Sequence, residues 1–216
     1  MAVIETPRLV MRPPEAGDVH ELWEIHQDPD VIRFMDTTER DLSVAWRCVA
    51  VMVGHWQMRG YGPWVLISKR DGRMVGRTGL WNAEGGPGLE LGWMVRRPDW
   101  GKGFATEAAA AALAWAWQHV PDDRVISLIE PGNSRSIRVA EKIGQRLEGR
   151  QASGGREMCT YGIQRPARQV VVTPRVDSQL DNARLEFNGR RRDRRTASRA
   201  ASDRHPAVHL PTTLAS

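Results

Sequence analysis

Cysteine is scarce in this 216-residue chain. Cys48 and Cys159 are the only two, too few for a disulfide framework or a cysteine-rich metal site. Long apolar runs are missing as well, since nothing approaches the roughly 20 residues that a membrane span requires. The opening residues, Met1-Ala2-Val3-Ile4-Glu5-Thr6, lack the charged start and apolar stretch of a secretory signal. His20, His26, His55 and His119 stand apart without the spacing of metal ligands. A soluble cytoplasmic protein without a metal, of a length suited to one medium domain plus a remainder, is the expectation.

Positive charge is present but confined. Residues 165–216 carry 11 Arg against 5 Asp+Glu, which leaves 20 basic and 21 acidic residues in 1–164. All nine Trp precede residue 118. The body is therefore near neutral, and the basicity belongs to the end. That end offers one short apolar run, Val170-Val171-Val172, and then Arg-rich sequence such as Arg190-Arg191-Arg192-Asp193-Arg194-Arg195. So little apolar surface does not offset the entropy of ordering, so a disordered tail over 167–216 is expected. The other reading of it is an arm for nucleic acid or another anionic surface.

The body alternates between the two hydrophobic periods. Arg8 to Arg12 reads as a strand stopped by Pro13-Pro14, and Asp18 caps a helix that breaks at Asp28-Pro29. A short piece, Val31 to Met35, follows. Leu42, Ala45, Trp46, Val49, Val53 and Trp56 recur at helical spacing up to Gly60. Trp64–Ile67 and Met74–Leu80, about a turn at Arg70-Asp71-Gly72, read as a hairpin, with a third strand over Leu89–Val95. An Ala-rich helix from Thr106 to His119, a strand over Arg124–Ile129, a helix from Ser136 to Lys142 and two strands about Gly154-Gly155 complete the body. The expected class is α/β: one domain over residues 5–166, with a mixed, mostly antiparallel sheet flanked by helices.

Trp100-Gly101-Lys102-Gly103-Phe104-Ala105-Thr106-Glu107 carries the chemistry. It lies between a strand and a helix, where glycines admit a ligand close to the backbone. The first amides of that helix have no internal acceptor and face the positive end of its dipole, a setting for phosphate oxygens. Lys102 adds a cation. A Walker loop is excluded because Gly103, not Ser or Thr, follows Lys102, and a Rossmann fingerprint because Thr106 stands where its third glycine or alanine belongs.

The run Arg96-Arg97-Pro98-Asp99-Trp100-Gly101-Lys102-Gly103-Phe104-Ala105-Thr106-Glu107-Ala108 resembles the acetyl-CoA motif of the GNAT superfamily of N-acetyltransferases, in particular its RimJ/RimL-type branch. Thr6-Pro7-Arg8-Leu9-Val10-Met11-Arg12, Leu89-Glu90-Leu91-Gly92-Trp93 and Asn133-Ser134-Arg135-Ser136-Ile137-Arg138-Val139-Ala140-Glu141-Lys142-Ile143-Gly144 resemble that branch in the same order. The resemblance implies acetyl-CoA as co-substrate and a primary amine as acceptor, with direct transfer in a ternary complex. It places the pantetheine arm along Trp93, Met94 and Val95, the diphosphate at Gly101, Lys102, Gly103, Phe104, Ala105 and Thr106, and Asn133 beside the thiol end. Asn133 also suits a turn after Pro131-Gly132. Pro98 stands where the superfamily often has Gln or Arg, so Arg96 or Arg97 is expected to serve instead.

Amine acetylation needs the amine deprotonated and the departing thiolate protonated. The resemblance makes Glu90 the candidate base, although strand alternation equally allows a surface carboxylate there. Ser136 is the candidate acid, or a helix cap; Tyr161 is a weaker acid. A backbone amide near Met94 is the candidate to polarise the thioester. Acids at Glu24, Asp28, Asp30 and Asp36 are expected at the acceptor entrance. A catalytically silent acyl-CoA binder and a nucleic-acid binder remain the competing classes, and monomer and homodimer are both compatible with the sequence.

Overall fold

The polar-apolar alternation near the start makes two strands rather than one. β1 (Ile4–Glu5) and β2 (Leu9–Arg12) fold back on each other about Thr6-Pro7-Arg8, where Thr6 Oγ1 accepts from the Leu9 amide. This computed structural model describes residues 2–35 and 40–167; Asp36 and the expected tail from residue 168 onward lie outside the described residues.

α1 (Val19–His26) stops ahead of Asp28-Pro29. The piece after it is one helical turn, α2 (Pro29–Ile32), with proline at its first position and Asp28 accepting from the Asp30 amide. In α3 (Leu42–Arg59) the Asp41 carboxylate caps Ser43 and Val44, and Gly60 ends the helix at φ 75°, a left-handed turn that suits glycine. β3 (Pro63–Ser68), β4 (Met74–Trp81) and β5 (Glu90–Val95) follow as an antiparallel meander. Then come α4 (Phe104–His119), β6 (Arg124–Ile129), α5 (Ser134–Lys142), β7 (Arg146–Ser153) and β8 (Arg156–Gln164).

The eight strands form one sheet in the order β1-β2-β3-β4-β5-β6-β8-β7. All neighbours are antiparallel except β5 and β6. The class is thus α/β, with a mixed sheet flanked by helices, as expected.

Strand alternation divides the core between the two faces. Trp64, Leu66, Leu91 and Trp93 pack toward α4 and α5, where Ala108, Ala109, Ala112 and Ala116 are fully buried. Alanines let α4 approach the sheet closely, which explains why this helix is so poor in large side chains. Val65, Met74 and Met94 point the other way, against Leu22, Ile25, Val49 and Met52 of α1 and α3. Pairing of β5 with β6 is limited to Glu90 opposite Ile126. Beyond that point the two parallel strands diverge, and the opening between them positions the site.

Candidate active site

The loop ahead of α4 is shaped by two glycines in left-handed conformations. Gly101 and Gly103 take φ 76° and 84°, conformations that L side chains resist. Gly103 precedes the first residue of α4, and no side chain caps that end, so its leading amides are free. The Asp99 carboxylate beneath the loop is 2% exposed and accepts from Arg73 Nη2 at 2.8 Å and Lys102 Nζ at 2.9 Å. Burial opposes its ionisation most strongly, yet these two cations hold it below the ordinary aspartate value. Lys102, its side chain about half exposed, spends its amine on Asp99 while staying beside the glycines.

Arg8 and Glu107 explain two motif positions that resemblance alone left without a role. Glu107 accepts from Thr6 Oγ1 at 2.6 Å, the Arg8 amide at 3.0 Å and Arg8 Nε at 2.6 Å. Arg8 Nη1 donates to the Lys102 carbonyl at 2.8 Å, and its guanidinium lies 4.6 Å from the Phe104 ring centroid. The first turn of the chain thus clamps the start of α4.

The edge of β5 supplies the second element. The Arg96 amide donates to Val75, and the Gly92 carbonyl accepts from Thr78, so the even-numbered backbone groups face β4. The Leu89 and Leu91 carbonyls accept from the Ile126 amide and Ser127 Oγ, so odd-numbered groups face β6. Beyond Leu91, the amides of Trp93 and Val95 consequently point into the opening, while the Val95 carbonyl is taken by Trp100 Nε1 at 2.6 Å. Strand alternation turns the Met94 N–H to β4, so the amides near Met94 that face the opening are those of Trp93 and Val95.

Between β5 and α5 lies a cleft of about 240 Å³, bordered by Trp93, Met94, Val95, Gly101, Gly103, Phe104, Ala105, Thr106, Asn133 and Ser136. Arg135, Arg138 and Lys142 also line it, and Arg135 lies 4.3 Å from the Trp100 ring centroid. Their spacing of three and four residues puts all three cations on one side of α5, a helical periodicity readable in the sequence but missed there. Asn133 is both cap and lining residue: its Oδ1 accepts from the Ser136 amide at 3.1 Å. Ser136 is therefore inside the helix rather than its cap, and α5 begins two residues earlier than expected. Ser136 Oγ accepts from Trp93 Nε1 at 3.3 Å across the opening.

Glu90 is not a surface carboxylate. It is 2% exposed, its Oε2 has no partner, and burial raises its pKa to about 7. It stands where β5 last pairs with β6, at the closed end of the opening, and does not itself line the cleft. Arg96 turns away from the cleft to Glu24 at 3.3 Å, and Arg97 pairs with Asp30 at 3.1 Å. Neither arginine is among the residues that line the cleft, although Asp30, the partner of Arg97, is. Tyr161 borders a separate hollow with Gln145 and Leu147, and Cys159 is buried in the α4-side core.

An unpaired strand edge leading to a free helix N-terminus accommodates an extended amide-bearing chain that ends in a diphosphate. That geometry defines an acyl-CoA-binding α/β protein. Residues 8–146 match the model of the acetyltransferase (GNAT) domain, and the chain belongs to that family. Its co-substrate is acetyl-CoA. An uncharacterised protein of Bacillus subtilis, YkkB, is 34% identical over 148 residues, spanning 64% of this chain and 82% of that one. An acetyltransferase of Agrobacterium tumefaciens superposes with a TM-score of 0.69 at 25% identity, covering 76% of this chain and 95% of the other. RimJ of Mycobacterium smegmatis in complex with a CoA disulfide shares the fold, with a TM-score of 0.61 at 22% identity over 72% of this chain and 81% of that one. No helix among the described residues is long and apolar enough to cross a membrane, and no three potential metal ligands cluster among them.

Proposed function

We propose that this chain moves the acetyl group of acetyl-CoA to a primary amine by direct attack, with Glu90 as the base, in the manner of RimJ/RimL-type enzymes. One observation carries the reading: a buried carboxylate with a free oxygen sits where the strand edge opens. At a pKa near 7, Glu90 is partly ionised at neutral pH and is matched to taking a proton from an ammonium group.

The remaining roles follow from placement. The free amides of Phe104, Ala105 and Thr106 hold diphosphate oxygens, assisted by Arg135, Arg138 and Lys142. The Trp93 and Val95 amides hold the pantetheine arm and donate to the thioester carbonyl. Ser136, fixed by Trp93, protonates the departing sulfur as the C–N bond forms and the C–S bond breaks. Thiol release from acetyl-CoA over a panel of amines tests this reading. The expected result is amine-dependent release that Glu90→Gln suppresses; cofactor affinity without release under any amine would instead identify a silent binder.

A further inference from the structure

The sheet face that carries α1 and α3 gathers four side chains, each more than nine-tenths buried, with polar atoms that lack a partner among the described residues. They are both ring nitrogens of His26, Nε of Arg77, Nε1 of Trp81 and Oε2 of Glu90. Buried polar groups are ordinarily paired, so four orphans on one face mark a place shaped for something else.

Register shows how they are arranged. Arg77 lies opposite Met94, Gly79 opposite Gly92, and Trp81 opposite Glu90. Directly opposed residues share a face, so Arg77 and Glu90 stand on the same side, about 13 Å apart at the usual strand rise. The glycine pair between them leaves the floor without side chains. Arg77 is the one buried arginine among the described residues. At 3% exposure it pairs with no carboxylate among them, whereas the half-buried Arg12, Arg73 and Arg96 each do. A buried guanidinium without an anion is unfavourable unless a ligand supplies one. His26 adds no competing charge. Burial, and then the field of Arg77, lower its pKa to about 4, so it is neutral at physiological pH.

We propose that the acceptor is a compact amino carboxylate, whose carboxylate is held by Arg77 while its amine meets Glu90 across the glycine floor. The proposal rests on the acetyl-transfer reading and narrows it to free amino acids rather than protein N-termini.

Matched pairs of acceptors test it: glycine, L-alanine, β-alanine and γ-aminobutyrate, each against its carboxamide. The amides hold more free amine at neutral pH, so a preference for the acids isolates recognition of the carboxylate. At least one acid is expected to exceed its amide by about ten- to a hundred-fold in kcat/KM, the range for a charge-assisted bond to a buried group. Arg77→Gln should bring that ratio toward one, and Arg77→Lys should retain part of it, with coenzyme A affinity unchanged in both. Equal use of acids and amides by the wild type overturns the proposal, as does a ratio that Arg77→Gln leaves intact. If Arg77→Gln does not fold, the wild-type ratio and Arg77→Lys decide. Failure of every amine to elicit thiol release would refute the transfer reading, and this proposal with it; release with amides or peptides alone refutes only this proposal.

Discussion

Replacing Glu90 by glutamine should weaken catalysis and strengthen the fold together. Glu90 is 2% exposed, and burial raises its pKa from 4.5 to about 7. A carboxyl with a raised folded-state value binds its proton more tightly when folded than when unfolded. Stability is therefore undiminished below pH 4.5, falls as pH rises toward 7, and stays low above that. At about 1.4 kcal/mol per unit, the full loss by pH 8 is about 3 kcal/mol. Glutamine has no such titration. Urea denaturation at pH 5 and pH 8 should show the wild type losing most of that amount and Glu90→Gln losing much less. Acetyl transfer by the variant should fall about 10²- to 10⁴-fold, the range for a removed general base, while the wild-type rate rises with pH through about 7. Parallel stability profiles for the two proteins would show that Glu90 is not buried as an orphan carboxylate. Full activity in the variant would remove it as the base.

Four further substitutions probe the rest of the site. Gly103→Val places a β-branched residue at φ 84°; it should destabilise by about 1–3 kcal/mol and weaken coenzyme A binding in calorimetry. Glu107→Ala should lower stability by about 2 kcal/mol, since it removes hydrogen bonds from Thr6 and Arg8 to a charged acceptor; chemical denaturation reads the change. Asn133→Ala should lower the denaturation midpoint through lost capping, by about 1 kcal/mol. Ser136→Ala should instead lower turnover and leave the midpoint nearly unchanged, and the reverse outcome would exchange their roles.

Much of the arrangement was legible in the chain because local chemistry dictated it. Gly60 ends α3, Pro29 starts α2, and the glycines before Phe104 announce an open helix start. What was not legible depends on distant partners. The motif shows Lys102 as a phosphate cation but not its second partner, Asp99, 2.9 Å from its amine. Arg96 reads as a substitute for the residue missing at Pro98, but Glu24, far away in sequence, attracts it. Ser136 was expected to start its helix, whereas Asn133 takes the cap and draws the start back to Ser134. The burial of Arg77 was not legible either, because strand alternation allows a solvent-facing side chain there and only the helices packed on that face enclose it.

The most direct test of the central claim is backbone amide hydrogen exchange with and without coenzyme A. Protection should rise at Phe104, Ala105 and Thr106 and at Trp93 and Val95. Met94, already turned to β4, should change little. Protection elsewhere in the chain, with these amides unaltered, would contradict the account.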